Sequence, residues 1–242
     1  GSWSLASGKN ISIGTFSAGT LTIRNLTQSD NSINMRLALT GTGKLVLGNN
    51  SISAKLYASS NQLTFSATRF LSADTLIYTG GNNATSAGGN YFGSTVYIAN
   101  TYTGTNYHFT LGSSCVDTFT TTTTIATTGN TSLDVANGLF LGAVTLRNSS
   151  TGTLSDRLFI WDCTFKGALT LDGIFSAIKF KNGTGNSLID SSATLSLVSG
   201  YAGQLTLSYI EQRGSNAINL NMSTNTSTGN NTILTIGPNA IF

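Results

Sequence analysis

The chain has 242 residues, of which 9% are charged: 12 Lys and Arg against 9 Asp and Glu, with one His. An average soluble domain carries about a quarter charged residues. The net charge of +3 is thinly spread, which excludes a basic nucleic-acid-binding patch, and no apolar run approaches the roughly 20 residues of a membrane-spanning helix.

Gly1-Ser2 reads as a cloning remnant ahead of one continuous unit, residues 3–242, with no start methionine and no signal-peptide pattern. Apolar–polar–apolar triplets then recur along the chain. Leu21-Thr22-Ile23, Leu45-Val46-Leu47, Leu63-Thr64-Phe65, Leu76-Ile77-Tyr78 and Val96-Tyr97-Ile98 come first. Leu139-Phe140-Leu141, Val144-Thr145-Leu146, Leu158-Phe159-Ile160, Leu169-Thr170-Leu171 and Ile178-Lys179-Phe180 follow. Leu195-Ser196-Leu197, Leu205-Thr206-Leu207, Ile218-Asn219-Leu220 and Leu234-Thr235-Ile236 complete the series. Period two predicts short strands with one face buried. Between them lie Gly, Asn, Ser and Thr, which tolerate tight turns. No stretch has a helical period with caps and a charged face.

Two architectures fit many short strands: a sandwich or barrel, and a solenoid. Hairpin dipeptides are few, at Asn137-Gly138, Asp172-Gly173 and Asn182-Gly183. A long-range repeat favours the solenoid. Ala18-Gly19-Thr20-Leu21-Thr22-Ile23 matches Ala202-Gly203-Gln204-Leu205-Thr206-Leu207, and Gln28 matches Gln212. Ile11-Ser12-Ile13 matches Leu195-Ser196-Leu197, Ile33-Asn34-Met35 matches Ile218-Asn219-Leu220, Leu47-Gly48 matches Ile236-Gly237, and Ile52 matches Ile241. The start and end of the chain are therefore copies of one segment. The chain reads as a super-repeat of about 185 residues plus the start of the next copy, cut from a longer array. The expected fold is all-β: a single right-handed parallel β-helix of about 10–11 coils, each roughly 20–24 residues. An aromatic before each strand, as at Phe92 and Phe165, is expected to fill the interior.

Gly88-Gly89-Asn90-Tyr91-Phe92-Gly93-Ser94-Thr95-Val96-Tyr97-Ile98-Ala99-Asn100 and Phe16-Ser17-Ala18-Gly19-Thr20-Leu21-Thr22-Ile23 carry a resemblance. They resemble the GGNxFxGxVxIxN and FSAGxLxI units of very large cell-surface, adhesin-like repeat proteins of Bacteroidota. The resemblance implies export, a long surface stalk or adhesin, and no known catalysis. It supplies no functional residues.

Cys115 and Cys163 cannot form a structural zinc site with one His; a disulfide between them and unpaired buried thiols are both open. Alternation puts Trp161, Cys163 and Phe165 on one buried face. His108 is expected to face outward from its strand. Among the acids, only Asp156 and Asp162 are close enough in sequence to suggest a carboxylate pair across a glycosidic bond. The run Thr118–Thr128 invites an ice-binding reading, but its threonines run along the chain and do not recur at coil intervals. Trp161, Tyr57, Tyr78, Tyr97, Tyr102 and Tyr107 could stack sugars in a groove or fill the core. Asn82, Asn90, Asn100, Asn137, Asn148 and Asn182 are expected to bridge successive coils.

The expected function is structural: a segment of a long extracellular stalk or adhesin, with no catalytic residues, metal or cofactor. Its expected partners are surface glycans or neighbouring cells and the flanking repeats of the same chain. End-to-end association of the chain follows from unpaired terminal strands. The alternatives are a carbohydrate-binding or carbohydrate-degrading β-helix and, third, a phage tail-fibre segment.

Overall fold

The strand Asn34–Leu39 shows how the sequence makes this fold: Met35, Leu37 and Leu39 are buried while Asn34 and Arg36 face out. The same alternation repeats rung after rung in the computed structural model. It describes residues 11–104, 107–150, 157–173, 177–181, 183–198, 201, 203–216, 218–220 and 233–242. Among these the regular structure is all strand, with no helix.

The strands form a parallel β-solenoid with three faces. The first face is a ten-stranded sheet running from Ile11–Phe16 through Asn34–Leu39 and Lys55–Ser60 to Ile218–Asn219. The second begins as a three-stranded sheet, Thr20–Arg24, Lys44–Gly48 and Gln62–Ser66. A parallel bridge from Ser66 to Gly88 leads toward its seven-stranded continuation, Ala84–Thr85 to Ile233–Ile236. The third face is again ten strands deep, from Thr27–Gln28 to Ala240–Ile241. Each circuit of the chain visits the three faces in turn. Coil length varies: Tyr57 pairs with Thr75 after 18 residues, and Val96 with Thr123 after 27.

The corner between the second and third faces recurs as one left-handed residue. Asn25, Asn49, Ala67, Asn137, Asp162, Tyr209 and Asn239 have φ between 47° and 58°. Asn and Asp adopt this conformation more readily than other side-chain-bearing residues. Here the N–H donates to a carbonyl of the next rung, as from Asn25 to Gly48 and from Asn137 to Trp161. Asn137-Gly138 and Asp162-Cys163 are thus corners of the coil.

After several corners the next residue's N–H is satisfied by a side chain one rung on. Leu26 N–H donates to Asn50 Oδ1 at 2.9 Å and Thr68 N–H to Asn90 Oδ1 at 3.1 Å. Asn90 N–H donates to Asp117 Oδ1 at 2.9 Å, and Cys163 N–H to Ser187 Oγ at 3.3 Å. This polar column pairs buried backbone donors that the turn would otherwise strand.

Two residues further on stands an aromatic column. Phe70, Phe92, Phe119, Phe140 and Phe165 stack with centroids 4.8, 4.6, 4.6 and 5.0 Å apart and rings within 8° of parallel. The rung spacing of a parallel sheet sets that distance. The expected interior aromatics are therefore present. Leu139-Phe140-Leu141 is reversed, however. The left-handed turn at Asn137 puts Gly138 and Phe140 inside, so Leu139 is half-buried and Leu141 exposed.

The repeat copies occupy equivalent strands. Ile11 and Ile13 lie on the first face, as do Leu195 and Leu197; Leu21 and Ile23 lie on the second, as do Leu205 and Leu207. The last match shifts by one residue. Gly48 directly precedes the left-handed Asn49, whereas Pro238 separates Gly237 from Asn239. Counting from that corner, Phe242, not Ile241, takes the place of Ile52.

Candidate functional site

The outer side of the second face gathers the densest mix of aromatic and charged groups. Register sets Thr110 opposite Asp134, Asp134 opposite Phe159, Phe159 opposite Lys179 and Lys179 opposite Thr206. Trp161 stands one pleat along from Phe159, opposite Ala136. Lys181 follows Phe180, which pairs with Ile160. Its ammonium lies 4.3 Å from the Phe159 ring centroid, 3.9 Å from that of Trp161 and 3.9 Å from Asp134 Oδ2. One cation thus spans three rungs, held by two π-faces and a carboxylate. Burial raises the Asp134 pKa, opposed by the charges of Lys181 and His108.

The edge of this platform is fixed by Asp162. Its carboxylate accepts N–H bonds from Thr184 at 2.9 and 2.8 Å and from Gly185 at 3.0 Å. A Cβ at Gly183 would lie 2.2 Å from Asp162 Oδ2, so glycine is required for the approach. The platform therefore offers ring faces, a carboxylate and lysines on a rigid sheet. Such a surface can stack a sugar ring and hydrogen-bond its hydroxyls, once Lys181 moves aside.

His108 stands two residues before Thr110 on the outer side of the same face. It is exposed, its backbone N–H donating to Asn83 Oδ1. Trp161 does not share the buried face of Cys163 and Phe165, because the left-handed Asp162 resets the pleat between them. Both cysteines are free. Cys115 is exposed, whereas Cys163 is buried and burial pushes its thiol up to about 12, which leaves it unreactive. Asp156 and Asn182 lie outside the described residues. Asp162 is engaged with the Thr184 loop.

The tyrosines do not form one groove. Tyr78 is in the core, stacked on Phe109 at 5.1 Å. Tyr57 and Tyr97 flank Thr75 on the outer first face, with the Arg36 guanidinium over Tyr57 at 4.9 Å. Tyr102 and Tyr107 meet each other at 5.7 Å. Threonines do stack across rungs, contrary to the expectation from the run. Thr124 pairs with Thr145 and Thr145 with Thr170, between Tyr97 and Ser196.

The asparagines bridge coils mostly through backbone groups. Asn100 Nδ2 donates to Thr131 Oγ1 at 2.9 Å, Asn137 Nδ2 to Gly112 O at 2.7 Å and Asn148 Nδ2 to Ala177 O at 2.8 Å. Amide pairs occur at Asn25–Asn49 and Asn61–Asn82. Phe159 and Lys181 were missed from sequence. The signal for Phe159 was its middle place in Leu158-Phe159-Ile160; Lys181 carried none, because its reach depends on which rung lies beside it.

No family profile, curated protein or solved structure matches the chain.

Proposed function

We propose that this chain is a structural segment of a long extracellular repeat protein, a stalk or adhesin of the kind found on Bacteroidota surfaces, without catalytic activity. The observation that carries this is the placing of the repeated segment. Its copies sit on equivalent strands of one stack, in which strands bond to the rungs above and below. Such a stack lengthens by copying rungs, and its stability grows roughly additively. Flanking repeats of the same kind would continue it, and surface glycans or neighbouring cells would be its targets. An antibody raised against the chain should label intact source cells. Labelling only after the cells are permeabilised would overturn the reading.

A second reading has a specific observation behind it. The Phe159–Trp161 platform, flanked by Asp134, Lys179 and Lys181, suits a carbohydrate-binding β-helix. On a glycan array, binding lost in Trp161→Ala but kept in Tyr97→Ala supports it. Equal binding by both variants removes it.

A further inference from the structure

The last rung is built like an interior rung. Ile233, Leu234, Ile236, Ile241 and Phe242 are 41–55% exposed. Their neighbours one rung back, Leu205 and Leu207, pair with Leu234 and Ile236 and are fully buried. Strands Ile218–Asn219, Ile233–Ile236 and Ala240–Ile241 each stand last in their sheets. Open backbone edges and apolar side chains thus coincide on one surface.

A second observation is independent of that exposure. Gln28 and Gln212 occupy the same place, three residues after the left-handed Asn25 and Tyr209. Both ends of the Gln28 amide are engaged. Its Nε2 donates to Asp30 O at 2.6 Å, and its Oε1 accepts N–H bonds from Ser53 at 3.0 Å and Ala54 at 2.5 Å. The Gln212 Nε2 and Oε1 are both buried and have no hydrogen-bond partner. Gln28 pairs with Ile52, and Glu211 with Ile241, which places Phe242 opposite Gln212. In the earlier copy the two donors to the Gln oxygen come from Ser53 and Ala54, the residues directly after Ile52.

We infer that this edge is an interaction surface whose partner is a parallel β-rung in the register of residues 53–70. All three landing strands are known from the earlier copy. Lys55–Ser60 sits on Asn34–Leu39, Gln62–Ser66 on Lys44–Gly48, and Arg69–Phe70 on Ser51–Ile52. Their equivalents in the last rung are Ile218–Asn219, Ile233–Ile236 and Ile241-Phe242. The partner rung brings two backbone N–H donors to Gln212 Oε1 and covers Leu234, Ile236 and Phe242. The inference rests on the chain being an array segment, but its test reads stability and shape, not location on a cell.

The test joins a second copy of residues 53–242 directly after Phe242. The expected product is one rigid rod, lengthened from roughly 48 Å to roughly 85 Å in X-ray scattering at about 4.8 Å per rung. Gln212→Leu is then made in the 242-residue chain and at the internal Gln212 of the extended one. In the short chain it should raise Tm by about 2–4 °C, because an unpaired buried amide is removed. In the extended chain it should lower Tm by roughly 1–3 °C, because the amide has gained its donors. Gln28→Leu should lower Tm in both and reports that the variants fold. Scattering from two flexibly joined bodies, or a Gln212→Leu shift of the same sign in both chains, would overturn the inference. Surface labelling of cells stays a separate result in either case.

Discussion

Asn90 gives both its backbone N–H and its side-chain amide to one oxygen of Asp117, at 2.9 and 2.8 Å. The other Asp117 oxygen is buried without a partner. Asp74 has the same arrangement: Oδ1 accepts the Leu56 N–H at 2.8 Å while Oδ2 is buried and unpaired. Asp117 serves a corner N–H and Asp74 the N–H of a residue in the strand Lys55–Ser60, yet each has one buried, unpaired oxygen. Burial raises Asp74 to about 7 and Asp117 to about 6, more than their hydrogen bonds lower them.

The sign of the pH dependence follows. The folded pKa values lie above the unfolded value of about 3.9, so between about pH 4 and 7 the folded chain binds more protons. Stability should therefore rise as pH falls from 8 to about 4.5. Urea unfolding across that range measures it. A midpoint that falls steadily below pH 7 contradicts the assignment. Asp74→Asn removes the buried charge and should stabilise by about 1–3 kcal/mol at pH 8 and much less at pH 4.5.

The phenylalanine column should be most sensitive at its centre. Phe119 has a stacked ring on each side, Phe92 and Phe140. Phe119→Ala opens a cavity between them and should cost about 3–5 kcal/mol. Phe119→Leu should cost clearly less, because a branched side chain fills part of the space. Chemical denaturation of both variants measures the difference. Equal losses would mean that the stack adds nothing beyond the presence of an apolar side chain.

Ala67 stands at a left-handed corner where four other rungs use asparagine. An alanine pays roughly 1–2 kcal/mol in that conformation. Ala67→Gly should therefore stabilise by about 0.5–1 kcal/mol, despite the added freedom of glycine when unfolded. Asn137→Val places a β-branched residue in the same conformation and should destabilise by more than 1 kcal/mol. A thermal melt in which Ala67→Gly lowers Tm would contradict the strain at this corner.

Much of the fold was legible because strands three or more residues long carry their own alternation. Leu45, Leu47, Leu63 and Phe65 read as buried from alternation alone, and they are. Alternation failed where one left-handed residue reset it, at Asn137 before Phe140 and at Asp162 after Trp161. Those corners look like ordinary loop residues in the sequence. The Thr124, Thr145 and Thr170 rank was hidden for another reason. Its spacings are 21 and 25 residues, so no single period reveals it. The platform around Lys181 was illegible for the same cause. Its groups come from three rungs whose lengths differ, and only the sheet register brings Asp134, Phe159 and Lys181 together.

Deleting one whole rung tests the stacking most directly. Asp74 pairs with Val96, and Val96 with Thr123. Removing residues 96–122 joins Thr95 to Thr123 and lets Asp74–Tyr78 pair with Thr123–Thr127. Phe92 then comes to stack on Phe140. The expected result is a folded rod, shorter by about 4.8 Å in X-ray scattering, with an unchanged strand spectrum and a modestly lower Tm. A chain that loses its β-sheet signal, or keeps its full length, would contradict rungs that stack as interchangeable units.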